Sequence, residues 1–265
     1  MFVTGDPSAN LLLAGLAHAE RERVWRWLDR VELVSGQVLH ESGEPYKHAY
    51  FPTTSIVSVQ YAFRDGASAQ AAMVGSEGMI GAPILLGGTS TPSRDVVLCA
   101  GEAFRIEAAA LQREADRGGH LLALFLRQLQ ALMVQVTLTA ACNRYHTVEQ
   151  QLCRWLLLCT ERLQSSEVAM THELLAHAIG VRRESVTEAA LRLQASGIIA
   201  YTRGRITVLD STGLHRRACG CHAVLRKANR SLLADPSLVL VPEAVSPLVA
   251  APAMARPVER AIAVA

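Results

Sequence analysis

Two hydrophobic periods divide this 265-residue chain. Between residues 36 and 108 the apolar residues fall in short segments, at 37–40, 49–52, 56–63, 69–74, 96–100 and 103–107. Turn-forming residues separate them at 42–45, 64–66, 87–88 and 101–102. Many short strands at such spacing predict an antiparallel β-sandwich or roll. From residue 120 the period becomes helical. Leu122, Phe125, Leu129, Leu132 and Val136 repeat at alternating intervals of three and four, which keeps one seam turned toward a partner helix. Leu121, Leu124, Leu126, Met133 and Leu138 form a second stripe. A helix apolar on two faces needs two surfaces to cover it, so the seam is expected to face a second copy of the chain and the stripe its own β-domain. Residues 148–163 read as another helix, with Val148, Leu152, Trp155, Leu156 and Cys159 facing a core. Residues 1–35 read as a short helix pair anchored by Trp25, Trp27 and Leu28.

The stretch 170–209 carries the most information. Thr171 is a good N-cap, and Leu174, Leu175, Ala178 and Ile179 recur at helical spacing. Gly180 follows, where a helix end wants positive φ. A second helix starts at 182–184 and keeps Val186, Ala189, Ala190 and Leu193 on one face. Residues 198–201 and 205–209 read as strands joined through Arg203 and Gly204. The order is that of a winged helix-turn-helix, whose second helix enters the DNA major groove. An ordinary helical hairpin would not put small Ala176, Gly180 and a basic hairpin in this register.

Charge supports this assignment. The chain has 26 Lys and Arg against 24 Asp and Glu. Residues 1–167 are net −3, 168–222 net +3 and 223–265 net +2. The positive excess therefore lies where phosphates would need it. No apolar run approaches bilayer-spanning length in the sequence pattern, so no membrane partner is expected. The first apolar stretch lacks a basic flank and contains Asp6, which points to an amphipathic helix rather than a signal peptide. Six scattered cysteines in a chain read as cytoplasmic are expected to be reduced. No nucleophile elbow, phosphate loop or spaced carboxylate pair suggests an enzyme. Residues 223–265 lose all periodicity and collect prolines, which predicts a mobile tail after Arg230.

With these parts in order, the chain resembles the Crp/Fnr family of bacterial transcription regulators over about residues 10–222. The resemblance is carried by GVRRESVTEAALRLQASGIIAYTRGRITVLD, which is similar to that family's recognition helix and wing. GQVLHESGEPYKHAYFP looks like the opening strands of its cyclic-nucleotide-binding-type roll, and CNRYHTVEQQLCRWLLLC resembles the linking segment. It implies an α+β chain with four parts: an antiparallel, jelly-roll-like β-roll at 1–117, a dimerisation helix at 118–146, a winged helix-turn-helix at 147–222 and a tail at 223–265. It implies double-stranded DNA and a second copy as partners, with RNA polymerase a further candidate. Arg183 and Glu184 occupy the base-reading positions, where Arg can bind guanine O6 and N7 and Glu can accept from cytosine N4. Ser185 and Thr187 lie on the same helix. Arg182, Arg203 and Arg205 are expected on phosphates. Glu188 stands where some relatives place a basic reader, so the preferred site should differ from theirs.

The effector side departs from the pattern. Gly78, Met79, Ile80, Gly81 and Arg94 are the candidate pocket. Cyclic-nucleotide binders of this fold have a Glu where Met79 stands, and Asp95 beside Arg94 would compete with a phosphate. Cyclic AMP binding is thus expected to be absent or weak, leaving an unknown small-molecule effector or none. No cysteine precedes Cys99, which argues against an N-terminal iron–sulfur cluster. A haem-type sensor would need a positioned ligand, and His40, His48 and His120, each a lone histidine, are expected to be structural or exposed. Cys219-Gly220-Cys221-His222, with His215 upstream, lacks zinc-knuckle spacing and reads as a helix-end cluster rather than a metal site. Two functions stay open: a homodimeric, sequence-specific DNA-binding regulator, or a ligand-binding module acting through a protein partner.

Overall fold

The computed structural model describes residues 5–63, 68–88, 90–202 and 204–234. Two short helices, α1 (Leu11–Ala14) and α2 (His18–Trp25), lead into a roll of seven strands. These are β1 (Asp29–Leu33), β2 (Val38–His40), β3 (His48–Pro52), β4 (Ile56–Ala62), β5 (Ser68–Val74), β6 (Arg94–Cys99) and β7 (Gly101–Glu107), with the short helix α3 (Ala82–Leu85) between β5 and β6. They pair antiparallel as two sheets, β1-β7-β3 and β2-β6-β4-β5. The expected strands all form. β1 is an addition: the helix pair expected over 1–35 ends at Trp25, and Trp27 is exposed rather than an anchor.

Asn10 fixes the entry to the roll. Its carbonyl oxygen caps α1 by accepting from Leu12 and Leu13. Its amide donates to the carbonyls of Pro52 and Gly78 at 2.9 and 2.8 Å. The side chain is fully buried and satisfied at both ends.

After α4 (Ala108–Ala115) comes the long helix α5 (Gly119–Tyr145). It starts at two glycines without a side-chain cap, and Glu20 of α2 supplies one by accepting from the Leu121 N–H at 3.1 Å. By length and composition α5 could cross a membrane, unlike the expectation from its sequence pattern. Here it packs on the roll: Leu121, Leu124 and Phe125 join the core built on Phe51, Phe104 and Leu111.

Next come α6 (Val148–Leu163), β8 (Glu167–Ala169), α7 (His172–Ile179), α8 (Arg183–Ala195), β9 (Ile199–Thr202), β10 (Arg205–Val208), α9 (Ser211–Arg217) and α10 (Cys221–Ala234). The tail expected over 223–265, mobile after Arg230, is corrected over 223–234 by α10, which packs along α5. Residues 235–265 lie outside the described residues. A single core runs from Ile56, Met73 and Leu98 of the roll through α6 to Val186 and Leu193 of α8.

One buried acid in the roll sets a pH dependence. Asp95 is 1 % exposed, accepts from the Tyr46 hydroxyl at 2.9 Å, and its other oxygen has no partner. Tyr46 in turn stacks on His40 at 3.5 Å. Burial pushes the Asp95 carboxyl up to about 6 from 3.8. A carboxyl raised in the folded state favours folding below its unfolded pKa, and that contribution is lost as pH rises through the folded value. Wild type should therefore lose up to about 3 kcal/mol between pH 4 and pH 7 from this group. Asp95→Asn should remove the loss, seen as a flatter dependence of guanidinium midpoint on pH. Parallel curves for the two proteins would contradict this.

Candidate nucleic-acid interface

Local chemistry forms the helix-turn-helix. The Thr171 hydroxyl caps α7 by accepting from the Leu174 N–H at 3.2 Å. Gly180 ends α7 at φ 76°, and an added Cβ would have room, so glycine is required there for conformation rather than space. The N–H groups of Gly180 and Val181 return to the Ala176 carbonyl at 2.8 and 3.0 Å. This closes the turn and starts α8 at Arg183. Val186, Ala189, Ala190 and Leu193 of α8 are buried against Leu175, Ala176 and Ile179.

The opposite face of α8 is the candidate reading surface. Arg182, at the N-cap, and Arg183, Glu184 and Glu188 are all exposed. None of the four forms an ion pair among the described residues. Ser185 is half-buried. Thr187 is engaged within the protein: its hydroxyl donates to the Arg183 carbonyl at 3.0 Å and lies 3.1 Å from His172 Nδ1. That histidine stacks on Tyr201 at 4.0 Å, which ties the start of α7, the middle of α8 and the wing together. Burial lowers the His172 pKa, followed by the charge of Arg183. The Thr187 hydroxyl is thus engaged within the domain, although the residue stays partly exposed.

The wing has three strands, in the order β8-β10-β9. Arg205 is exposed but held at 2.6 Å by Glu167 of β8. Arg203 lies outside the described residues. Glu149, near the start of α6, accepts from both Arg192 of α8 and Arg217 of α9 at 2.9 Å. The Arg192 hydrogen bond, ahead of those from Arg217, keeps the Glu149 carboxyl below its ordinary range. This fan of charges fixes the reading helix to the rest of the domain. His172, Glu167 and Glu149 were not singled out by sequence reasoning, because each is a polar residue at an unremarkable position until the helices cross.

The other expected residues separate differently. Along α5, Phe125 is fully buried beside Phe51, with ring centroids 6.5 Å apart, and Leu132 packs on the roll. These two seam positions are corrected to core. Leu126 and Met133, assigned to the inner stripe, are 53 % and 70 % exposed. The outward stripe is Leu122, Leu126, Leu129, Met133 and Val136.

The effector candidates are also placed. Met79 is buried in the core with Phe51 and Phe125. Ile80 pairs with Tyr50 through two backbone hydrogen bonds of 2.8 and 3.0 Å. Gly81 sits at φ 100° where a Cβ would meet Ala49, and a Cβ on Gly78 would meet Gln128. The cavity beside Gly78, lined also by Gln128, Leu132 and Gln135, has a volume of about 20 Å³, enough for about one water. Arg94 pairs with Glu41 at 3.0 Å, whereas Asp95 turns inward to Tyr46. Asp95 was expected to compete with a phosphate for Arg94; Glu41 takes that place instead, since adjacent residues of a strand face opposite sides. Glu77 binds Arg162 of α6 at 2.7 Å, away from any ligand position.

Comparison with known proteins agrees with this geometry. Residues 150–217 match the family model of the Crp-like helix-turn-helix domain. No curated protein matches the chain in sequence. Solved structures match over most of its length. FixK2 from Bradyrhizobium japonicum is 16% identical with a TM-score of 0.63, covering 72% of this chain and 98% of that one. A putative transcriptional regulator of the Crp/Fnr family from Eubacterium rectale is 17% identical with a TM-score of 0.61, covering 79% and 98%. A CRP-family transcriptional regulator from Thermus thermophilus is 24% identical with a TM-score of 0.58, covering 72% and 96%. The fold is that of the solved Crp/Fnr-family structures, a cyclic-nucleotide-binding-like roll joined to a helix-turn-helix. Residues 150–217 are a Crp-like helix-turn-helix domain, and the resemblance to Crp/Fnr transcription regulators read from the sequence is borne out.

Gly180→Ala tests the turn. The added Cβ meets no clash but strains a left-handed residue, so the variant should lose about 1 kcal/mol or more in denaturant unfolding. An unchanged midpoint would contradict the geometry of the turn.

Proposed function

We propose that this chain is a sequence-specific, DNA-binding transcription regulator that acts as a homodimer and does not respond to cyclic AMP. The observation that carries the reading is the start of α8: Arg182, Arg183 and Glu184 stand exposed, and without ion pairs among the described residues, at the helix end that a helix-turn-helix presents to base edges. Arg183 donates to guanine O6 and N7, and Glu184 accepts from cytosine N4. Arg182 and Arg205 meet phosphates. Arg205 must leave Glu167 or share its charge with it, so its contribution is smaller than that of a free arginine.

Dimerisation rests on the outward stripe of α5. Leu126, Met133 and Val136 are exposed apolar side chains on one face, with half-buried Leu122 and Leu129 between them. Such a stripe on a helix already packed on one side is satisfied by the same stripe of a second copy, and a twofold dimer has self-complementary surfaces. Absence of cyclic AMP binding rests on the filled position of Met79, the strand pairing of Ile80 and the ion pair of Arg94. A regulator from Xanthomonas campestris with this fold is described as responsive to c-di-GMP, so the fold takes other ligands. The small cavity beside Gly78 supports no nucleotide here.

Four outcomes follow. Leu126→Asp with Met133→Asp should convert dimer to monomer in sedimentation, with the fold intact because both side chains are exposed. A doubly substituted dimer at low concentration would exclude this interface. Arg183→Ala and Glu184→Ala should each cost about 1–3 kcal/mol per contact and relax one base pair per half-site in fragments selected from genomic DNA. Arg205→Ala should weaken binding similarly on all sequences and reduce the salt slope. If wild type does not distinguish selected from scrambled DNA, the protein-partner reading takes its place. Calorimetry should show no micromolar binding of cyclic AMP.

A further inference from the structure

Four potential metal ligands meet where the long helix joins the helix-turn-helix domain. Cys142 and His146 lie one turn apart on the last stretch of α5, and His146 caps that helix by donating its N–H to the Cys142 carbonyl at 3.0 Å. Cys219 and Cys221 come from the bend between α9 and α10. Cys142 Sγ lies 3.5 Å from Cys219 Sγ, and Cys221 Sγ lies 3.8 Å from His146 Nδ1. All four ligand atoms are within 4.8 Å of one another. We propose that Cys142, His146, Cys219 and Cys221 form a structural zinc site of the three-cysteine, one-histidine type.

The distances suit this ion. Zinc binds thiolate at about 2.3 Å and imidazole nitrogen at about 2.0–2.1 Å, so neighbouring ligands of a tetrahedron stand about 3.5–3.8 Å apart. Two of the observed spacings are at that value, and the others need to shorten by no more than about 1.3 Å. Three thiolates and one neutral imidazole make a closed set with no open position, as structural sites require. Thiolate-rich tetrahedra select zinc over the hard cations magnesium and calcium. On loading, each thiol gives its proton to solvent, so three protons leave as one zinc ion enters.

The surroundings fit the resulting charge. Three thiolates and one zinc ion carry a net charge of −1. Arg154 of α6 is 7 % exposed, and its charge reaches Cys142 and Cys221. It donates to Thr139 at 3.0 Å, but its Nε has no partner and no carboxylate pairs with it among the described residues. A buried cation of this kind needs a counter-charge, which the loaded site supplies. Gln151 holds the backbone of His146 by donating to its carbonyl at 2.9 Å, which orients the imidazole.

His215 and His222, which neighbour these cysteines in sequence, are not part of the set. His222 lies 3.3 Å from Glu161, and its ring meets that of His215 at 5.1 Å. The Cys-Gly-Cys spacing alone did not suggest a site because the other two ligands lie more than seventy residues earlier. The ion would staple the junction of α5 and α6 to the bend before α10. It would thus hold the reading helix in a fixed relation to the long helix.

The test is metal analysis of the purified full chain, reduced, incubated with zinc and desalted. The site predicts about one zinc per chain. Cobalt in its place should give the visible bands and thiolate charge transfer of a tetrahedral thiolate site. Cys221→Ser and His146→Ala, both at half-buried positions, should each lower retained zinc at least tenfold. Cys99→Ser, at a thiol beside Cys159, should leave it unchanged. Circular dichroism confirms that each variant folds. Wild type without retained zinc, a Cys221→Ser variant as full as wild type, or an octahedral cobalt spectrum would overturn the proposal. So would a reduced chain that takes no zinc while the unreduced chain carries a Cys142–Cys219 disulfide.

Discussion

The rest of the structure depends on the burial of α6. Residues 151–159 of this helix are buried without interruption. A helix covered on every side needs partners on every side, and here they come from both halves of the chain. Met73 and Leu98 of the roll, Leu175 and Ile179 of α7, and Leu193 and Leu214 beyond them all share its core. The Arg162–Glu77 pair, largely buried, adds a polar fix between α6 and the loop after β5. Such a pair adds registry more than stability, since desolvating both charges offsets much of their attraction. The consequence is a core shared by the roll and the helix-turn-helix. The helix-turn-helix does not hang from a flexible linker but rests on the roll, with Ser68 reaching His177 of α7 at 3.3 Å.

The same constraint places the reading surface. α6 positions Glu149, which gathers Arg192 and Arg217, and these fix α8 and α9. The arginines used for internal pairing are thereby separated from Arg182 and Arg183, which stay exposed. Two classes of basic residue result from one geometry: those that hold the domain and those left for a polyanion. The zinc site proposed at the α5–α6 junction would brace the same junction of α6 with its neighbours.

Much of this was legible in the sequence, and the misses have physical causes. The strands from β2 to β7 follow period two between turn residues, and α6, α7 and α8 follow clean helical spacing with Thr and Gly at their ends. β1 was missed because its residues, Asp-Arg-Val-Glu-Leu, are charged and mostly exposed: only Leu33 is fully buried, so no alternation announces a strand. On α5 the existence of the helix was clear but its phase was not. Apolar residues occupy nearly all of its surface, and only packing decides that Phe125 meets Phe51 while Met133 faces out. α10 is amphipathic but was hidden by the proline-rich stretch that follows it. Asp95 was read as competing with a phosphate for Arg94 because the two are neighbours in sequence, but the pleat sends them to opposite faces. Cys142 and His146 could not be joined to Cys219 and Cys221 without the fold.

The central claim, that the start of α8 reads a twofold DNA site, is tested most directly by guanine N7 methylation interference on selected genomic fragments. The account predicts interference at one guanine in each of two inverted half-sites, with centres about one helical turn, roughly 10 base pairs, apart, and its loss on Arg183→Ala. Interference at a single unpaired position, at irregularly spaced guanines, or unchanged by Arg183→Ala would contradict it.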